Sequence, residues 1–162
     1  MNPALSIQPE PPDTAEAKAL IEELDAHLNG LYRPENRHGL SLAALQDEAV
    51  IFLVARWDGV AVGCGAVKFV NGDYAEVKRM YVMPRWRGLG VAQALLTHLE
   101  RLSHQKGLRV LRLETGVHQQ EAIKLYERVG FSRCAAFGEY VENGVNFCYE
   151  KRLAPTEGGP AA

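Results

Sequence analysis

The chain is 162 residues long, 47% hydrophobic and 23% charged, the proportions of one soluble globular domain. Eighteen Lys and Arg against twenty Asp and Glu leave a formal net charge of -2, which argues against a nucleic-acid-coating protein and against an extended acidic tail. No apolar run approaches the ~20 residues that span a bilayer, and residues 1–10 lack a basic n-region and a long apolar h-region, so a cytoplasmic protein without a membrane partner is expected.

Residues 5–8 read as a first strand. Asp13 or Thr14 then offers an N-cap, and Leu20, Ile21, Leu24 and Leu28 form one helical stripe that Asn29-Gly30 stops. Residues 32–39 are polar, contain a proline and predict a loop; Ser41 caps a short second helix over 42–46. The period then changes to that of strands. Residues 50–57, 60–70 and 74–82 are separated by the turn pairs Asp58-Gly59 and Asn71-Gly72, which predicts an antiparallel meander. After Pro84 a basic, glycine-bearing turn opens a helix to about Gln105, with Ala92, Leu95, Leu96, Leu99 and Leu102 as its stripe. A strand over 110–115, a helix over 119–129 closed by Gly130, and strands over 132–137 and 145–150 follow. The strand–helix–strand step from 74 to 115 joins parallel neighbours by a crossover. The expectation is therefore an α/β fold with a mixed sheet, antiparallel in its first half, and helices on its faces. Residues 1–153 read as a single domain, and 154–162 (APTEGGPAA) as a mobile tail.

Cys64, Cys134 and Cys148 are widely spaced and make no C-x-x-C pair, so they are expected to be reduced thiols in strands. His98 and His104 stand about 240° apart on a helix and the other histidines are scattered, so no metal is expected.

The segment Arg87-Gly88-Leu89-Gly90-Val91-Ala92 stands between a strand and a helix. Helix-first amides lack intrahelical partners, the helix dipole adds positive charge, and glycines admit a close anion, so this is an anion cradle. Lys78, Arg79, Arg85 and Arg87 are read as its surrounding positive charge. The Walker pattern is absent, and Gln93 with preceding hairpins speaks against a dinucleotide fingerprint.

This R-G-L-G-V-A element resembles the [Q/R]-x-x-G-x-[G/A] signature of the Gcn5-related N-acetyltransferases. About 35 residues downstream, Ala122-Ile-Lys-Leu-Tyr126-Glu-Arg-Val-Gly130-Phe131 resembles that family's A-x-x-L-Y-x-x-x-G-F motif. The resemblance runs well over residues 50–153 and in element order over 5–46. It implies acetyl-CoA as co-substrate, with the pyrophosphate on the amides of Leu89, Gly90, Val91 and Ala92, beside Gly88 and Arg87. The pantetheine would pair with the backbone of Met80, Tyr81 and Val82, which requires that strand to splay from 110–115. Those amides would also polarise the thioester carbonyl.

The resemblance further implies that Tyr126 is the general acid for the leaving thiolate. By spacing alone, Ala122, Leu125, Tyr126 and Val129 share a buried face, where a tyrosine also needs a partner for structural reasons. Glu76 is the base candidate, on a strand face expected to include Lys78, Met80 and Val82; Glu114 is the second. Gln119 stands where the family often has Asn. Tyr140 is expected in a loop near the acceptor, and Arg33, Glu35, Arg37 and His38 are candidates for shaping the acceptor pocket. The expected reaction is direct attack of a small-molecule primary amine on the thioester, with a homodimer allowed for. A protein-directed acetyltransferase and a non-catalytic acyl-CoA-binding module are the alternatives.

Overall fold

Tight turns set the first half of the sheet. Asp58 and Gly59 both hold positive φ, at 50° and 85°, as do Asn71 and Gly72 at 48° and 74°. Paired positive φ values are the type I′ geometry that matches strand twist, and in the second turn the Asp73 amide donates to the Val70 carbonyl at 2.8 Å. These turns connect β2 (Val50–Trp57), β3 (Val60–Val70) and β4 (Tyr74–Val82). The computed structural model describes residues 4–33 and 40–154. The expected acceptor-loop residues Glu35, Arg37 and His38, and the tail from 155, lie outside the described residues.

β1 (Leu5–Pro9) pairs antiparallel with β2 at one sheet edge, where Pro9 needs no ladder donor. β5 (Val110–Gly116), β6 (Ser132–Cys134) and β7 (Asn146–Arg152) complete a seven-stranded sheet in the order β1-β2-β3-β4-β5-β7-β6. The expected strand over 132–137 is only Ser132–Cys134, because Phe137 turns away to pack edge-on to Tyr74 and Tyr140 at 5.4 and 5.1 Å.

Helices cover both faces. α1 (Ala15–Asn29) starts where the Thr14 hydroxyl accepts the Ala17 amide at 3.1 Å. With α2 (Leu42–Leu45) it packs Leu20, Leu24 and Leu45 against Phe52 and Val54. α3 (Val91–Gln105) and α4 (Gln120–Arg128) pack against the opposite face, where Leu95 and Leu99 meet Leu53 and Ala55. Alternate residues of β2 thus feed two separate cores, the period of a sheet buried on both sides. No helix among the described residues is long and apolar enough to cross a membrane.

Two irregularities of β4 position the site. Its parallel pairing with β5 consists of Ala75 with Leu111 and Glu76 with Arg112, after which the strands part. Its register with β3 also slips: Lys78 faces Ala66 and Tyr81 faces Cys64, so Arg79 and Met80 together oppose Gly65. Arg79 holds φ 56°, a β-bulge that re-aims every later side chain. Val77, Met80 and Val82 consequently face the α3 core, while Tyr81 joins the α1 core. The expected common face of Glu76, Lys78, Met80 and Val82 is thereby corrected, since the extra residue breaks the period of two. At Gly65 a Cβ would lie 2.6 Å from the Met80 sulfur, so any larger residue there displaces the Met80 side chain.

Candidate active site

The parting of β4 and β5 opens the sheet between α3 and α4, and two cavities occupy the gap. The larger is a cleft of about 650 Å³, lined by Met80, Tyr81, Val82, Arg87, Gly88, Gly90, Val91, Ala92 and Gln119. The smaller, about 90 Å³, lies on the α1 side and is lined by Tyr32, Lys78, Glu114 and Tyr140 among others. Leu24, Met80, Gln119 and Tyr126 line both, so they form the passage between them.

The cleft fits an extended molecule carrying phosphates. Gly88 and Gly90 hold φ 79° and 86°, and a Cβ at either would point into open space. Gly90 is the N-cap of α3, so the first helical amides face outward beside the cleft. The Arg87 guanidinium donates to the Val82 carbonyl at 2.8 Å and lies 5.5 Å from the Tyr81 ring, which seats its charge beside the cradle. Leu89 points outward, 52% exposed, and is not one of the lining side chains. The backbone of β4 past Glu76 runs along the cleft with no β5 partner in register, an edge to which an extended chain can add.

The expected single basic patch is corrected. Only Arg87 of the four named cations lines the cleft, where Arg128 of α4 joins it. Lys78 and Arg79 belong to the chamber. Lys78 pairs with Glu76 at 3.0 Å, and Arg79 pairs with Asp25 of α1 at 2.6 Å while its fork binds the Leu40 carbonyl. The countercharge of Lys78 is its neighbour on β4, and that of Arg79 comes from a distant helix, which a charge count along β4 does not register.

At the passage, Tyr126 is 7% exposed and its ring stands edge-on to Phe131 at 5.8 Å. Burial, reinforced by the charge of Glu114, pushes its phenol well above the usual range, so the hydroxyl keeps its proton through neutral pH. Gln119 sits just before α4 and its side-chain oxygen accepts the Gly116 amide at 3.0 Å. The longer side chain thus ties α4 to the end of β5.

Glu76 is 7% exposed and is absent from the chamber wall. The Tyr140 hydroxyl donates to it at 2.5 Å, and Lys78 donates to the same hydroxyl at 2.6 Å. Burial first, then the Glu76 charge, holds the Tyr140 phenol far above its ordinary value. Glu76 therefore reaches the chamber through Tyr140 and Lys78, whereas Glu114 lines it directly. Tyr32 closes the far wall, its hydroxyl accepting the His118 amide at 2.9 Å over Gly116. Arg33 is exposed outside this wall. Tyr32 opens the loop expected to shape the acceptor pocket, while Arg128 and the Tyr140–Lys78 contact lay outside the sequence reading, the contact because its partners stand 62 residues apart. Among the described residues no cluster of His, Cys, Asp or Glu is placed to hold a metal.

Residues 17–131 match the model of the acetyltransferase (GNAT) family. An IAA acetyltransferase of Azospirillum brasilense is 41% identical over 152 residues, covering 93% of this chain and 99% of that protein. The uncharacterized N-acetyltransferase YsnE of Bacillus subtilis is 31% identical over 147 residues, covering 87% and 97%. A Klebsiella pneumoniae crystal structure assigned to the acyl-CoA N-acyltransferases superposes with a TM-score of 0.80 at 36% identity, over 94% of this chain and 100% of that one. The PaiA N-acetyltransferase of Thermoplasma acidophilum, solved with coenzyme A, shares the fold with a TM-score of 0.72 at 22% identity, over 92% and 99%. The chain therefore belongs to the GNAT family of acetyltransferases, as an acyl-CoA-dependent N-acyltransferase.

Proposed function

We propose that the protein moves an acetyl group from acetyl-CoA to the primary amine of a compact small molecule. The observation that carries this reading is the meeting of a long cleft and a small chamber at Met80, Gln119 and Tyr126. In this reading the amides of Leu89, Gly90, Val91 and Ala92 receive the pyrophosphate beside Gly88 and Arg87. The open backbone of Met80, Tyr81 and Val82 receives the pantetheine and polarises the thioester carbonyl. Acetyl-CoA supplies the activated acyl group when bound.

An aliphatic amine is mostly protonated near neutrality, its pKa lying about 10.4 for a lysine-like group, so a proton must leave before attack. Glu114 orients the incoming ammonium, and Glu76, reached through Tyr140, draws its proton. The amine nitrogen then bonds to the carbonyl carbon, the carbon–sulfur bond breaks, Tyr126 donates its proton to the departing sulfur, and the second proton leaving the acylated nitrogen restores the Tyr126 phenol. The Azospirillum relative is named for IAA, and a Stenotrophomonas maltophilia relative matching 52% of this chain is named for aminoglycosides, which supports a small acceptor. A protein-directed enzyme calls for an open groove at Glu76; that carboxylate instead lies under Tyr140 and Lys78.

Thiol release from acetyl-CoA across a panel of amino acids, polyamines, other compact amines and short peptides tests this. Acceptor-dependent release is expected with one class of compact amine. Release with peptides alone transfers the reading to a protein-directed enzyme, and no acceptor-dependent release from any member overturns it.

A further inference from the structure

The three cysteines occupy different settings. Cys64 is fully buried, donates to the Arg79 carbonyl inside the bulge at 3.3 Å, and has its thiol pushed up to about 12 by burial. Cys134 and Cys148, both free, are direct partners across β6 and β7. Opposed residues in an antiparallel pair project to the same face, with Cα atoms about 4.5 or 5.5 Å apart depending on the hydrogen-bond pattern. Both spacings fall within the ~4.4–6.8 Å that disulfides span. β6 is a three-residue edge strand paired on one side alone, so little sheet must yield for the sulfurs to meet. Cys134 is half-buried at that edge, within reach of a small oxidant, and Cys148 is buried behind it.

The same row runs on to the chamber. Cys148 is opposed on its other side by Glu114 of β5, which lines the chamber. The backbone of Phe137 hydrogen-bonds the Cys148 sulfur, and the Phe137 carbonyl accepts the Tyr140 amide at 3.0 Å. A change at the Cys148 sulfur is therefore passed in two steps to the hydroxyl that holds Glu76.

We propose that Cys134 and Cys148 are an oxidisable dithiol, a modification site whose closure to a disulfide displaces Phe137 and Tyr140 and weakens acceptor binding. With a small disulfide as oxidant, the Cys134 thiolate attacks one sulfur, forming a mixed disulfide and releasing one thiol. The Cys148 thiolate then attacks the Cys134 sulfur, forming the internal bond and releasing the second thiol. The protein loses two electrons and two protons, and the oxidant becomes two thiols. Burial pushes both thiols up, reinforced by Glu150 beside Cys134 and by Glu114 and Glu76 beside Cys148, and opposed at Cys134 by Arg112 and Arg133. Closure is accordingly slow near neutrality and faster in mild alkali.

The chemical step stands apart from the acceptor reading, and its kinetic consequence rests on it. The reduced full-length protein, incubated with oxidised glutathione, should lose two hydrogens in intact mass and retain one free thiol of three, with a peptide joining 134 to 148. Cys134→Ser should abolish this and leave basal turnover unchanged. Three persisting thiols, a stable glutathione adduct, or a bond involving Cys64 overturns the proposal, whether or not an acceptor is known. In the closed form the acceptor KM should rise on the order of tenfold, within the hundredfold that a one-ångström misplacement can cost. An unchanged acceptor KM in the closed form overturns the link to Tyr140.

Discussion

Replacing Tyr126 with Phe removes one hydroxyl from the passage between cleft and chamber and little else. The ring is 7% exposed and keeps its edge-on contact with Phe131, so no cavity forms and stability should change by about 1 kcal/mol or less. General acid catalysis contributes roughly 10²–10⁴-fold, and water entering from the open cleft recovers part of it. Turnover should therefore fall at least about tenfold, with the acetyl-CoA KM within about twofold of the wild type. The pH profile adds a second readout. Burial and Glu114 raise the phenol above its usual 10, so the donor stays protonated across the neutral and mildly alkaline range. The wild type should show no loss of the donor below that value, and the variant's defect should be constant with pH across that range. Steady-state thiol release at saturating acetyl-CoA and amine measures both. Wild-type turnover in the variant would refute the donor role.

Gly90→Ala meets no neighbouring atom but places a side chain at φ 86°, costing about 1–2 kcal/mol. Its acetyl-CoA KM should rise while the acceptor KM holds, as read from crossed saturation curves. Tyr140→Phe and Glu76→Gln should each lower turnover, and their double variant should be no worse than the more damaged single, because Glu76 reaches the chamber through Tyr140. Additive losses in that double-mutant cycle would show that they act separately. Arg56 binds Glu10 at 2.8 Å and Glu16 at 2.8 Å, tying β2 to α1. Its hydrogen bond lowers the Glu16 pKa, so the stabilisation is present above the unfolded carboxylate range near 4.3 and disappears as pH falls through the lower folded value. Denaturant melts of Arg56→Ala should differ from the wild type at neutral pH and converge with it in acid.

Legibility followed the range of the interactions. The Thr14 cap, the Leu20–Leu24 stripe and the Asp58-Gly59 turn are decided within a few residues, and they stand where the pattern places them. The cradle at Gly88 and Gly90 was likewise a local signal, and the parting of β4 followed from the family resemblance. The bulge at Arg79 left no mark, since a charged residue at φ 56° has no composition cue and is held by Asp25 and Leu40 from elsewhere in the chain. One unseen residue then misassigned a strand face, and the contact of Tyr140 with Glu76 escaped because it joins residues 64 apart in the chain. Arg79 misled for a similar reason, because its partner Asp25 is tertiary.

The two residue pairs that join β4 to β5 divide the sheet into half-sheets, β1-β2-β3-β4 and β5-β7-β6. Each half has its own hydrogen-bonded ladders, while the seam has almost none beyond Glu76. Without ligand the seam is therefore the most weakly hydrogen-bonded line of the sheet, although one apolar core packs across it, and amides of β4 past the seam should exchange with solvent sooner than those of β2 or β7. With pantetheine paired along β4 as proposed, the co-substrate should raise the melting temperature and slow exchange along the seam by mass action on one element.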